Sequence, residues 1–233
     1  MNPDAEPNPP AYWDDGTVEH RLPVDPRESI DVPWLRKFAR LDPSAARERL
    51  KAEWSGDVWP SGVAALRDRL LGYEPTSLVI HDGEGFLKLE GPNGSTVYIG
   101  RPIADYELDA VGSPPDYVPP PPSALPSPSF HRLFPGLRDS TPGCAGEFVR
   151  PSDWETFGDY GWNLDEEDES WAEAVVVFVA LNGDLLLIGE RGVAWGVLAR
   201  GSVRPLCATF DEFLLRYADF LTQGVALDSY RDL

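Results

Sequence analysis

The segment with the most unusual chemistry is residues 153–173, DWETFGDYGWNLDEEDESWAE. It carries nine acidic side chains, no basic one and five large aromatic rings. Carboxylates at this density attract Lys and Arg side chains of a partner, and aromatic rings supply desolvated anchors at protein interfaces. The sequence therefore predicts a partner-binding surface formed by Asp159, Trp162, Asp165, Glu166, Glu167, Asp168 and Glu169. The competing interpretation is a solvated loop whose rings point into the core, and for the aromatic residues we prefer it.

Other residues that could do chemistry are few: the cysteines Cys144 and Cys207, and the histidines His20, His81 and His131. Two cysteines cannot form a four-cysteine zinc site, and the histidines lack the H-E-x-x-H spacing. The sequence contains no nucleophile elbow, phosphate-binding loop or dinucleotide fingerprint. A Cys144–His131 nucleophilic pair has no neighbouring group in the sequence to activate it. We therefore expect no catalytic residue, metal or cofactor, and keep an uncharacterised hydrolase as an alternative.

The charge of the chain is one-sided, because 39 acidic residues face 20 basic ones and give a net charge of −19. Such a surface repels nucleic acid and anionic membranes, which bind Lys and Arg, and attracts basic proteins. Solubility alone is the other explanation of the charge. The first ten residues lack the basic and apolar regions of a signal peptide, and no apolar run has the length of a membrane span. We therefore expect a cytoplasmic protein with a protein partner.

The first half of the chain predicts helices followed by a β-meander. Residues 1–27, rich in Pro, Asp and Glu, are expected to form a flexible arm. In 28–111, helices are expected around 31–41, after the Asp42-Pro43 cap signal, and from Ser61 to Gly72. Three short apolar runs separated by turn residues then predict strands over 77–100. The proline-rich segment 112–128 is interpreted as a connector or an insertion, and alternatively as a ligand for an aromatic-lined groove.

The second half contains the clearest patterns. Two apolar runs flank Asn182-Gly183, which predicts a central hairpin over 175–189 that is covered on both faces. A third strand is expected over 192–199. Thr209 to Glu212 form a capping-box sequence that opens a final helix ending near Gly224. We expect an α+β domain over 129–224, with a mixed or antiparallel sheet flanked by helices, and a tail over 225–233.

The order VVVFVALNGDLLLIGERGVAWGVLARGS followed by ATFDEFLLRYADFL resembles the second half of the SUKH superfamily. That family includes bacterial immunity proteins, the Syd proteins and the fungal Smi/Knr regulators. The resemblance covers mainly residues 171–222 and places Phe210, Phe213 and Leu214 at the Phe-x-x-Phe-Leu positions of the last helix. The Leu-Pro element that the family carries upstream is missing. Either the domain starts near residue 61 with a large insertion, or an unrelated N-terminal domain precedes it.

The resemblance implies a non-enzymatic protein that binds another macromolecule, with immunity to a toxin as the commonest role. The expected mechanism is stoichiometric docking of the acidic surface on a basic toxin, whose active site is then occluded. The alternative from a different class is a regulatory adaptor that acts through protein–protein contacts without any toxin.

Overall fold

The computed structural model describes residues 16–55, 59–101, 128–134, 136–140, 145–160 and 169–223. Within them, ten strands form one sheet in which every strand is antiparallel to the next one in the chain. The strands are β1 (Val18–Arg21), β2 (Glu74–His81), β3 (Glu84–Glu90), β4 (Thr96–Ile99), β5 (Arg138–Asp139), β6 (Gly146–Phe148), β7 (Val175–Ala180), β8 (Leu185–Gly189), β9 (Gly192–Val197) and β10 (Ser202–Cys207). The expected α+β class with an antiparallel sheet is confirmed.

The described α-helices are α1 (Pro43–Glu53), α2 (Ser61–Leu71), α3 (Pro128–Leu133) and α4 (Phe210–Gln223). Asp42 begins α1 as predicted, because its carboxylate accepts a hydrogen bond from the Ala45 backbone N–H at 2.8 Å. The helix expected around 31–41 is only a 3₁₀ turn, Pro33–Lys37. Its apolar side chains Leu35 and Phe38 are nevertheless fully buried, so the pattern correctly indicated which residues enter the core.

The two faces of the sheet bury different residues. On the inner face, leucines and valines of β2–β4 such as Leu78, Leu87 and Val97 join one core with the helices. On the outer face, Val79, Phe86 and Tyr98 form a separate small cluster. This division follows from the period of two along a strand, which sends neighbouring side chains to opposite faces.

The predicted hairpin is present and buried on both sides. The strands β7 and β8 flank the Asn182-Gly183 turn, where Gly183 has a φ of +83° that favours glycine. Val177 and Leu186 enter the inner core, whereas Val176 and Leu187 enter a second core on the outer face. The third strand is also confirmed as β9.

The final helix α4 begins as predicted. The Thr209 hydroxyl accepts from the Glu212 N–H at 3.1 Å, and the Glu212 carboxylate accepts from the Ala208 N–H at 3.2 Å. Its buried stripe packs on α2. The stripe consists of Phe210, Phe213, Leu214, Tyr217, Phe220 and Leu221.

The start of α2 is fastened to α4 by a carboxylate. Asp211 accepts hydrogen bonds from the Ser61 hydroxyl at 2.6 Å and the Gly62 N–H at 2.7 Å. A Cβ at Gly62 would lie 2.1 Å from the Asp211 carbonyl oxygen, so only glycine permits this approach. Two helices distant in sequence are thereby held with their first turns in contact.

Part of the predicted arm belongs to the sheet. Val18–Arg21 pair with β2 as an edge strand, and Leu22 and Val24 that follow are buried in the inner core. Residues 1–15, nearly all of the proline-rich segment and the tail lie outside the described residues. The strands on either side of that segment, β4 and β5, are neighbours in the sheet.

Candidate partner-binding surface

Two parts of the acidic segment are described, residues 153–160 and 169–173, and we call them the acidic strap. The strap lies mainly on the outer face of the sheet, across β7–β9. Phe157 and Trp171 are buried and pack against sheet residues that include Val176, Leu187 and Ala194. Phe157 and Trp171 therefore complete the second core, whereas Trp154 packs against the inner core. Both placements agree with the interpretation that these aromatic residues point inward.

Backbone hydrogen bonds fix the strap to the beginning of β7. The Phe157 N–H donates to the Ala174 carbonyl at 2.8 Å, and the Val176 N–H donates to the Glu155 carbonyl at 3.0 Å. Thr156 also forms an isolated antiparallel bridge with Val175. Because it is paired to a central strand, the backbone of the strap is held in place beside the sheet.

Asp159 is exposed and held in a local cap. Its carboxylate accepts hydrogen bonds from the Thr156 N–H at 3.3 Å and the Thr156 hydroxyl at 2.7 Å. This arrangement caps the 3₁₀ turn Phe157–Tyr160, in the way that an acidic side chain satisfies free N–H groups at the start of a helix. The carboxylate is thus directed by the backbone and still accessible to a partner.

The other predicted site residues fall outside the part of the chain that the structure describes. Trp162, Asp165, Glu166, Glu167 and Asp168 lie outside the described residues, as does the side chain of Glu169. Their role in partner binding stays a prediction. The described strap adds three exposed carboxylates that were not among the predicted site residues, Asp153, Glu155 and Glu173.

A further carboxylate reaches the strap from a distant part of the chain. Burial raises the pKa of the Tyr160 hydroxyl, and the negative charges of Glu155 and Glu147 raise it further. Glu147 lies in β6, which pairs with β7, so only the sheet topology brings it to this place. Burial is the larger cause of the shift, and the contributions of Glu155 and Glu147 show that both carboxylates lie near the Tyr160 hydroxyl.

A cleft of about 170 Å³ borders the strap at Asp153 and is also lined by Glu147. Its basic groups are paired: the Arg138 Nε donates to Glu147 at 2.8 Å, and the Arg150 Nη1 donates to Glu84 at 2.6 Å. The Arg138 guanidinium also lies over the Phe86 ring, 4.6 Å from its centre. These pairs compensate much of the charge in the cleft, so the exposed strap presents the more strongly negative surface.

A second cleft, of about 300 Å³, lies near β1 and contains Lys88. This lysine is 7% exposed and donates to Glu19 and Glu90 at 3.0 Å each. Burial alone would lower the pKa of Lys88, but the hydrogen bonds to Glu90 and Glu19 raise it overall. The amine is therefore held protonated and unsuited to act as a nucleophile.

His131, the base of the Cys144–His131 pair considered for the hydrolase alternative, is poorly suited to the task. Burial lowers the pKa of His131 to about 3, and its ring packs against Phe130 and Trp154. Cys144 lies outside the described residues. Burial and the neighbouring Glu212 raise the pKa of Cys207 to about 11, so this thiol stays protonated at neutral pH.

Within the described part of the chain, no group of three or more His, Cys, Asp or Glu side chains could hold a metal ion. Among the helices described, none has the length and apolar character needed to cross a membrane.

Comparison of the chain with protein-family models, with curated proteins and with solved structures finds no match in any of the three. The resemblance to the SUKH superfamily therefore stays a prediction that rests on the order of elements and the motif residues in 171–222.

Proposed function

We propose that this protein is a non-enzymatic binding protein whose acidic strap docks a basic protein partner. The observation that supports the proposal is the two-sided construction of the strap. Phe157 and Trp171 anchor it in the outer core, while Glu155, Asp159 and Glu173 are exposed. Carboxylates on a fixed backbone lose little conformational freedom when they meet a partner, and this favours binding.

The net charge of −19 also attracts a basic partner over distances longer than direct contacts. A negative surface accelerates the diffusional approach of a basic protein and disfavours acidic ones. The same field opposes the phosphates of nucleic acids, which bind through Lys and Arg. A basic protein is therefore the partner that this surface fits best.

The role we propose is immunity: stoichiometric neutralisation of a bacterial toxin whose basic active-site face is covered by the strap. The proposal that the partner is a toxin rests on the SUKH resemblance, whereas the proposal that it is basic rests on the charges described above. In this mechanism the partner's Lys and Arg side chains meet the strap's carboxylates, and substrate is excluded because the face is occupied.

The test is recovery of the partner on the full chain from the host's own extract. Three immobilised proteins are compared: the wild type, a strap variant and a control variant. The strap variant carries Glu155→Gln, Asp159→Asn and Glu173→Gln. The control variant removes the same charge at exposed positions elsewhere, by Glu48→Gln, Glu74→Gln and Asp219→Asn.

We expect one basic protein to be retained in equimolar amount by the wild type and the control variant, and to be depleted on the strap variant. Purified partner should lose its toxic or catalytic activity when one equivalent of wild type is added. Retention of an acidic or neutral protein, or equal retention by all three, would contradict docking at the strap. Binding without neutralisation would favour the regulatory adaptor.

A further inference from the structure

A buried carboxylate joins two neighbouring turns of the sheet. Asp184 is 1% exposed and lies directly after the β7–β8 turn. It accepts hydrogen bonds from the Leu198 N–H at 2.9 Å, the Trp195 Nε1–H at 3.3 Å and the Asn182 side-chain amide at 3.0 Å. We call these four residues the Asp184 lock. Because Trp195 and Leu198 belong to β9 and the turn after it, the lock holds both turns at one end of the sheet.

Asn182 precedes a glycine, and this sequence permits a particular reaction. The Gly183 backbone nitrogen can attack the Asn182 side-chain carbonyl carbon, since glycine has no Cβ to obstruct the approach. A new bond forms between the Gly183 nitrogen and the Asn182 Cγ, and the Cγ–Nδ2 bond breaks. Ammonia is released, and the product is a five-membered succinimide ring. Water then opens the ring to aspartate or isoaspartate. Water and the peptide itself supply every atom required.

The closed turn holds both reacting groups in hydrogen bonds. The Gly183 N–H donates to the Ala180 carbonyl at 2.9 Å, and the Asn182 Oδ1 accepts from the Asp184 N–H at 3.1 Å. Asn182 is nevertheless exposed to water. The reaction therefore requires the turn to open, and its rate reports how often that happens.

We propose that Asn182 is a site of spontaneous deamidation and that its conversion opens the Asp184 lock. The amide nitrogen that donates to Asp184 is replaced by a negatively charged oxygen. Two carboxylates then face each other where one of them is buried, and like charges repel strongly at close range in such a place. Relief comes when the turn moves Asp184 towards water, which leaves the Leu198 N–H and the Trp195 indole without their acceptor.

The first test follows the modification in the full chain. Folded and denaturant-unfolded samples are incubated at mildly alkaline pH, and peptide mapping locates the mass gain at 182. We expect conversion in both, slower in the folded sample, with amide exchange at Leu198 at least about tenfold faster in the converted molecules. Failure of the folded chain to convert while the unfolded chain does would overturn the site. Conversion with unchanged exchange would overturn the opening of the lock.

The second test uses variants with a matched control. Asn182→Asp reproduces the aspartate product, and Asn93→Asp makes the same charge change at the other Asn-Gly sequence, in the 3₁₀ turn Pro92–Gly94. We expect Asn182→Asp to lower the thermal midpoint by several degrees, and Asn93→Asp to change it much less. Equal midpoints for the two variants would show that the Asn182 amide is not needed by Asp184.

Discussion

At the residue scale, the fold changes the protonation of one buried side chain, His131. His131 is 4% exposed, and the Nε2 atom of its ring has no hydrogen-bond partner in the part of the chain that the structure describes. A neutral imidazole tolerates this place, whereas burial disfavours the charged imidazolium. The pKa of about 3 in the folded chain is the result.

This lowered pKa predicts a loss of stability in acid. Below pH 6.5 the unfolded chain binds a proton at His131 that the folded chain refuses. The contribution is therefore complete above that pH and is lost as pH falls toward about 3. At about 1.4 kcal/mol per pKa unit, the full loss is on the order of 5 kcal/mol.

Urea unfolding of the wild type and of His131→Phe, from neutral pH down to about pH 4, measures this loss. The phenylalanine keeps the ring contacts with Phe130 and Trp154 and removes the titrating group. We expect the wild type to lose more stability than the variant as pH falls. Parallel curves would show that His131 is charged as readily in the folded chain as in the unfolded one.

A second buried polar contact joins α4 to the sheet. Asp139 is fully buried in β5, and its carboxylate accepts a hydrogen bond from the Tyr217 hydroxyl at 2.9 Å. Tyr217→Phe removes one donor from that carboxylate and should cost about 1–3 kcal/mol in the free energy of unfolding. Tyr160→Phe, which removes a half-buried hydroxyl on the other face, is the control. Similar denaturant midpoints for both variants would contradict the importance of the contact.

At the scale of the element, α4 contributes most through its aromatic stripe. Phe213 is 1% exposed and stacks between Phe210 and Tyr217, at ring-centre distances of 5.9 and 6.0 Å. Phe213→Ala should destabilise the protein by about 3–5 kcal/mol, because it leaves a cavity in a close-packed core. Leu215→Ala on the same helix, at a residue 39% exposed, should cost much less. Denaturant unfolding measures the loss of stability in each variant. Equal losses would mean that α4 is not docked as described.

The elements that the sequence predicted are those with strong local signals. The Asn182-Gly183 turn with its apolar flanks, the Asp42 cap and the Thr209 capping box each specify a structure within a few residues. The strands that were missed lack such signals. β5 has two residues, and β10 contains Pro205, which an edge strand tolerates and a sequence pattern disfavours. They are fixed by their neighbours in the sheet.

The candidate surface was predictable to the extent that it is local. The density of carboxylates in 153–173 indicated the acidic segment, and the size of Phe157 and Trp171 indicated their burial. The approach of Glu147 was not predictable, because it depends on β6 pairing with β7. The periodicity of a sequence predicts strands but does not predict which strands will be neighbours in the sheet.

At the scale of the whole molecule, the two faces of the sheet differ in what packs against them. The inner face and the helices form the larger core, which includes residues from Leu22 to Leu221. The outer face of β7–β9 is covered by the acidic strap and its smaller core. The stability of the fold therefore depends mainly on one side, and the charge that we propose for recognition lies on the other.

The most direct test of this account is the salt dependence of association with the partner. Stopped-flow binding compares the wild type, the strap variant and the control variant of equal net charge. We predict that the wild-type association rate falls steeply as salt rises, because counter-ions screen the field. At low salt the strap variant should associate more slowly than the control variant. Equal association rates for these two variants at low salt would contradict docking through the strap.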